Sequence, residues 1–221
     1  ESGASFTEVV KNTKQTAAIK GVLAAFSSGN ATTAEQTLLP AQKVSAISSD
    51  VLLALSKEGV AIVPIVNGSN YVRANLIGVE TLGANTFQLL SKISDQLLQL
   101  NASFTAIKDE QLSALSSCKQ LKQLELNGTS ITNKGLASLD AFENLEILSI
   151  TQTKATAEGI SSLTKLKNLK KVYLYKTSFT NAAIAQLKQK MPGLRIDTGG
   201  YKVPILVTDT TEAKAPEIKT N

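Results

Sequence analysis

The chain has 221 residues, 43% of them apolar and 19% charged, an ordinary globular composition with ample length for a buried core. It holds no histidine and one cysteine, which excludes the commonest general base, the usual haem ligand, an internal disulfide framework and a Cys-rich zinc site, so no cofactor is expected. The net charge of +5 is uneven: residues 1–95 are neutral, whereas Lys154 to Arg195 carries nine basic side chains against Glu158 alone. No apolar run approaches the roughly 18 residues that span a bilayer. The opening Glu1-Ser2-Gly3 carries no targeting signal, as expected of a mature form or an excised fragment.

In chain order, Phe6, Val9, Val10, Ile19, Val22, Leu23 and Phe26 recur at helical spacing and predict one or two helices over 6–26. Ser27 to about Ser49 is rich in Ser, Thr, Ala and Gln, includes Pro40, and reads as a linker. Val51–Lys57 reads as a helix, Val60–Val66 as a buried strand, and Asn67-Gly68 as a turn. A 24-residue period then takes over. The pattern L-x-x-L-x-L-x-x-T-x-I-T-x-x-x-L-x-x-L is filled by Leu121, Leu124, Leu126, Thr129, Ile131, Thr132, Leu136 and Leu139. It recurs from Leu145, again from Leu169, and one step earlier from Leu97, in a single register without insertion. A degenerate copy precedes these around Leu76, Thr81, Leu82 and Leu90. A final strand, Leu194–Asp197, follows Pro192-Gly193 one residue late.

Inside each copy L-x-L alternates like a strand, and the later G-L-x-x-L spacing suits a helix. Asn133 and Asn181 stand where an N-cap is useful. Such units bury their apolar faces only by stacking, which predicts an α/β right-handed solenoid with a parallel sheet on its concave side. Thr105, Thr129, Thr153 and Thr177 recur at the turn, where an inward hydroxyl satisfies backbone groups. Cys118 reads as a small buried hydrophobe. The expected organisation is a helical segment and linker over 1–49, an N-terminal cap over 50–73, the solenoid over 74–207 and a flexible tail over 208–221.

On these residues, 74–200 is identified as a leucine-rich-repeat segment, resembling the short helix-bearing bacterial type. The remainder is similar to bacterial membrane-anchored proteins in which a c-type cytochrome domain precedes such repeats. The resemblance is carried by Glu1–Phe6, Gly59–Ile65, Asn70-Tyr71, Lys170–Thr177 and Ile196–Tyr201. It implies a C-terminal portion of a longer polypeptide, periplasmic or at the cell surface, and a membrane link only through an anchor upstream. The CxxCH haem motif is absent, so no haem role attaches to any residue here.

Side chains between the strand leucines are expected on the concave face. The candidate binding surface is Glu125, Ile147, Ser149, Lys171, Tyr173, Tyr175 and Arg195, with tyrosines and cations beside an exposed isoleucine. It fits a protein or peptide partner, or the protein's own upstream domain. The alternative is a structural spacer or capping domain with no ligand of its own. No catalytic constellation is present: Glu125 and Asp197 fall three strands apart, too far for a carboxylate pair. Nucleic acid is not expected, because Lys165, Lys167, Lys188 and Lys190 fall at helix ends, where the helix dipole favours them.

Overall fold

The computed structural model describes residues 39–200. The helices read over 6–26, most of the linker and the tail beyond Gly200 lie outside the described residues. A seven-stranded sheet runs in sequence order: β1 (Ala61–Pro64), β2 (Val72–Asn75), β3 (Leu97–Asn101), β4 (Gln123–Glu125), β5 (Ile147–Ser149), β6 (Lys171–Tyr173) and β7 (Arg195–Asp197). Apart from the antiparallel β1–β2 pair, all neighbours are parallel. Helices α1 (Ser49–Lys57), α2 (Ala84–Lys92), α3 (Asp109–Ser113), α4 (Asn133–Ala137), α5 (Ile160–Leu163) and α6 (Asn181–Lys190) alternate with the strands, supplemented by 3-10 turns at Ser138–Ala141 and Ala157–Gly159. This is an α/β leucine-rich-repeat solenoid.

The strand register makes the period physical. Gln99 pairs with Gln123, Gln123 with Ile147, Ile147 with Lys171 and Lys171 with Arg195, a constant 24-residue step. The last strand is therefore in register, not late. Only its leading leucine is displaced: Leu194 stands one position beyond the place that corresponds to Leu169, and Gly193 occupies that place. The first parallel pair, β2–β3, departs from the step, with an irregularity between Val72 and Arg73. The consensus leucines Leu97, Leu100, Leu121, Leu124, Leu126, Leu145 and Leu148 are buried in one cluster that continues from Leu55 to Leu194. Each such side chain contributes roughly 1.5–3 kcal/mol of hydrophobic stabilisation. No unit has another way to hide its apolar face.

Polar groups fasten one repeat to the next. The threonines behave as their turn position predicts: Thr105, Thr129, Thr153 and Thr177 donate to the carbonyls of Ala102, Leu126, Ile150 and Leu174 at 2.6, 2.7, 2.8 and 2.6 Å. One residue before each threonine the backbone turns left-handed, with φ of 58° at Phe104, 64° at Gly128, 55° at Gln152 and 52° at Lys176. There the amide nitrogens of Phe104, Gly128 and Gln152 donate to the next repeat's Asn127, Thr151 and Tyr175 carbonyls. At Gly128 the Phe104 ring also packs close: a Cβ there would lie 2.5 Å from it. A further ladder runs along the helix entrances. Asp109 accepts from the Thr132 amide and hydroxyl at 2.9 and 2.6 Å, and Asn133 accepts from the Thr156 amide at 2.9 Å. At the next step Ala157 has no polar group, and the ladder ends. This close approach leaves no room for a side chain at Gly135, where a Cβ would lie 2.3 Å from Asp109.

Two expectations are corrected by the structure. The N-caps of α4 and α6 are Thr132 and Thr180, which accept from Lys134 and Ala183, not Asn133 and Asn181. A threonine at the turn takes the cap, and Asn133 is left to reach the neighbouring repeat. The run from Val60 is not a buried strand. β1 is an edge strand with Ala61, Val63 and Pro64 exposed, and Val60 and Ile65 are the buried residues flanking it. As the outermost, antiparallel strand it has a covered neighbour on one side only. The end of the linker is tied to the solenoid. Tyr71 Oη donates to the Gln42 carbonyl at 2.7 Å, Asn70 to Val44 at 2.8 Å and Gln96 to Ser45 at 3.1 Å.

Candidate functional site

The register places the predicted concave residues in two rows. One runs Gln99, Gln123, Ile147, Lys171, Arg195, and the other runs Asn101, Glu125, Ser149, Tyr173, Asp197. Adjacent members stand about 4.8 Å apart along the sheet. A third set, Asn127, Thr151 and Tyr175, continues beyond the strands at the same 24-residue step.

The two halves of this surface differ. In the N-terminal half the polar groups satisfy one another. Arg73 Nε donates to Gln99, which is buried, and Gln123 donates to Glu125 at 2.7 Å. Asn127 forms a hub: its amide oxygen accepts from Ser149 Oγ at 2.5 Å, Thr151 Oγ1 at 2.8 Å and the Thr151 amide at 3.2 Å. Its amide nitrogen donates to Ser103 at 3.1 Å. Ser149 is consequently buried with its hydroxyl engaged, and Glu125 is engaged by Gln123. Of these two candidates, Ser149 has its hydroxyl proton committed to Asn127, and Glu125 already accepts from Gln123. Asn127 and Gln99, of the same surface, are structural ties. For Asn127 the 24-residue offsets to Ser103 and Thr151 were the available signal; the Gln99–Arg73 tie falls outside the period.

The C-terminal half is built differently. Lys171 and Arg195 are direct partners across β6 and β7, and neither has an ion pair among the described residues. Like charges directly opposite each other destabilise a sheet. Lys171 Nζ lies 4.4 Å from the centroid of the Tyr173 ring, and Lys176 Nζ lies 5.4 Å from that of Tyr175. Tyr175 is 43% exposed and its ring lies against the backbone of Gly199, where φ is 66° and an added Cβ would come within 2.2 Å of the ring. Ile147 is half-buried at the head of the Lys171–Arg195 row. The structure thus brings Ile147, Lys171, Tyr173, Tyr175 and Arg195 together.

The remaining lysines of the basic run are placed elsewhere. Lys165 pairs with Asp140 at 3.8 Å and Lys170 with Glu146 at 2.5 Å, while Lys188 and Lys190 stand in the last turn of α6. Glu146 also receives Lys122 at 3.2 Å. Burial raises its carboxyl, but hydrogen bonds and charge from Lys170 and Lys122 outweigh it and hold the group below its ordinary value. Cys118 is fully buried, and desolvation pushes its thiol up to about 11 against a smaller opposing contribution from Ser117. Among the described residues, no group of three or more cysteines and carboxylates is placed to hold a metal, and no helix is long and apolar enough to cross a membrane.

No family model matches the chain, and no curated protein is a detectable relative. Similar solved structures include internalin C2 from Listeria monocytogenes, with 22% identity and a TM-score of 0.40 over 50% of this chain and 45% of that one. A leucine-rich-repeat protein from Leptospira interrogans has 18% identity and a TM-score of 0.39 over 53% of this chain and 28% of the other. The leucine-rich-repeat ectodomain of a receptor kinase from Arabidopsis thaliana has 14% identity and a TM-score of 0.40 over 69% and 93%. The chain spans less than half the length of the first two. It is the strand register that defines the fold.

Proposed function

We propose that this chain is a non-catalytic protein-interaction module, and that the C-terminal half of its concave sheet is the surface that binds. The observation that carries the reading is the Lys171–Arg195 pair: two cations in direct register, with no ion pair among the described residues, beside two cation-capped tyrosines and Ile147. Like charges in direct register oppose folding there, whereas in the N-terminal half of the same sheet Gln99, Gln123, Glu125 and Asn127 hydrogen-bond to neighbouring side chains. Such a patch has the composition of an interface centre, with aromatic side chains and arginine around an apolar residue. A spacer with no ligand would have no use for the contrast between the halves.

The setting we propose is extracytoplasmic and bacterial, with a cytochrome-linked parent polypeptide. Support for that setting is the sequence resemblance over Glu1–Phe6, Gly59–Ile65 and Lys170–Thr177. The partner is then a protein or peptide segment, the protein's own upstream domain included. Replacing Tyr173 and Tyr175 with alanine tests the surface directly. Partner capture falls while the unfolding transition stays in place; undiminished capture would sink the proposal.

A further inference from the structure

Resting on the reading that the C-terminal concave surface binds protein, we infer that its partner presents an acidic, extended segment. Carboxylates of that segment sit between Lys171 and Arg195, and a neighbouring apolar side chain lies on Ile147. The three residues stand in one row across β5, β6 and β7. With strands about 4.8 Å apart, the row is roughly 10 Å long, the reach of about three residues of extended chain. A segment with an apolar residue two or three positions from an acidic one therefore matches it.

Among the described residues, the neighbouring carboxylates are engaged elsewhere. Glu125 takes the Gln123 amide, Glu146 takes Lys122 and Lys170, and Asp197, in register with Tyr173, accepts from the Gly199 amide. The chain's own tail is a poor candidate, because Asp209, Glu212 and Glu217 are matched there by Lys202, Lys214 and Lys219. The acid thus comes from a separate segment. Each carboxylate placed between the two cations replaces a repulsion with two attractions, and the Lys171 ammonium reaches it while keeping one side on the Tyr173 ring. A protein segment is favoured over a nucleic acid strand for two reasons. The tyrosine faces on which a base would stack already carry Lys171 and Lys176. Lys188 and Lys190 of the run also lie away from the sheet, on α6.

The test is selection of a random heptapeptide library on the full chain, followed by affinity measurements with the synthesised winners and, in parallel, a short labelled oligothymidylate. Selected peptides are enriched in Asp and Glu beside an apolar residue. Their affinity falls about tenfold or more with Lys171→Gln plus Arg195→Gln, variants whose folding is checked by circular dichroism. Peptides without acidic enrichment that still require Tyr173 and Tyr175 would overturn this inference and leave the binding surface standing. A library yielding nothing dependent on either pair of residues would overturn both. Tighter binding of the oligothymidylate than of the best peptide, lost in the same Gln variant, would replace the acidic segment with a phosphate backbone.

Discussion

Asn127 is the residue on which the polar stitching of the concave face converges, and its replacement by alanine is the most exacting test of how the repeats are held. The side chain makes four hydrogen bonds, to Ser149, to the Thr151 hydroxyl and amide, and to Ser103, so it ties its own repeat to both neighbours. At about 0.5–1.5 kcal/mol net for each bond the sum is roughly 2–6 kcal/mol. Asn127 is half-buried, so water recovers part of that loss, and the lower end applies. The expected cost of Asn127→Ala is therefore about 2–3 kcal/mol, read as a lower urea midpoint at unchanged slope. Combining it with Thr151→Val should show a coupling of at least ~0.5 kcal/mol, since the two changes remove a shared bond. A loss below ~0.5 kcal/mol for the single change, or strict additivity in the double, refutes the view that this hub fixes the register.

Two further outcomes follow from the buried titratable groups. With its thiol pushed up to about 11, Cys118 should not react with a thiol reagent at pH 8 until the chain unfolds, and its labelling in urea should track the unfolding curve; rapid labelling of the native protein contradicts this. Glu146, held below its ordinary 4.5, contributes stability that is complete above that pH and is lost as pH falls through its lower folded value. Glu146→Gln should thus cost roughly 1 kcal/mol at neutral pH and almost nothing in acid; a constant deficit from neutral pH down to pH 3 would show that the Lys122 and Lys170 pairs are not responsible.

The solenoid was legible in the sequence because its core demands the same side-chain sizes at the same place in every turn. Leu124, Leu148 and Val172 are register partners in the sheet as they are in the sequence pattern. The threonines at the turn were legible for the same reason: one geometry recurs and needs one hydroxyl. Legibility failed where the repeat does not enforce the choice. Val60–Val66 is apolar enough for either a central or an edge strand, and only the antiparallel pairing with β2 decides which. Thr132 and Asn133 are both competent caps, and the contest was settled by Thr156 in the next repeat, which takes the asparagine. On the concave face, sequence identified which residues share the surface but not which of them are engaged. Ser149 and Lys171 look equally available as letters, yet one is buried under Asn127 and the other faces Arg195. Side-chain pairing across repeats is a three-dimensional property, visible only once the strands are set side by side.

The central claim is that the Lys171–Arg195 half of the concave sheet is a recognition surface. Its most direct test is photo-crosslinking in the protein's own host, with a crosslinking amino acid at Tyr175 and, as the convex control, at Gln186 on α6. A discrete adduct formed from position 175 alone, and lost when Lys171 and Arg195 are changed to glutamine, is the predicted result. Equal crosslinking from both positions, or none from position 175, would contradict it.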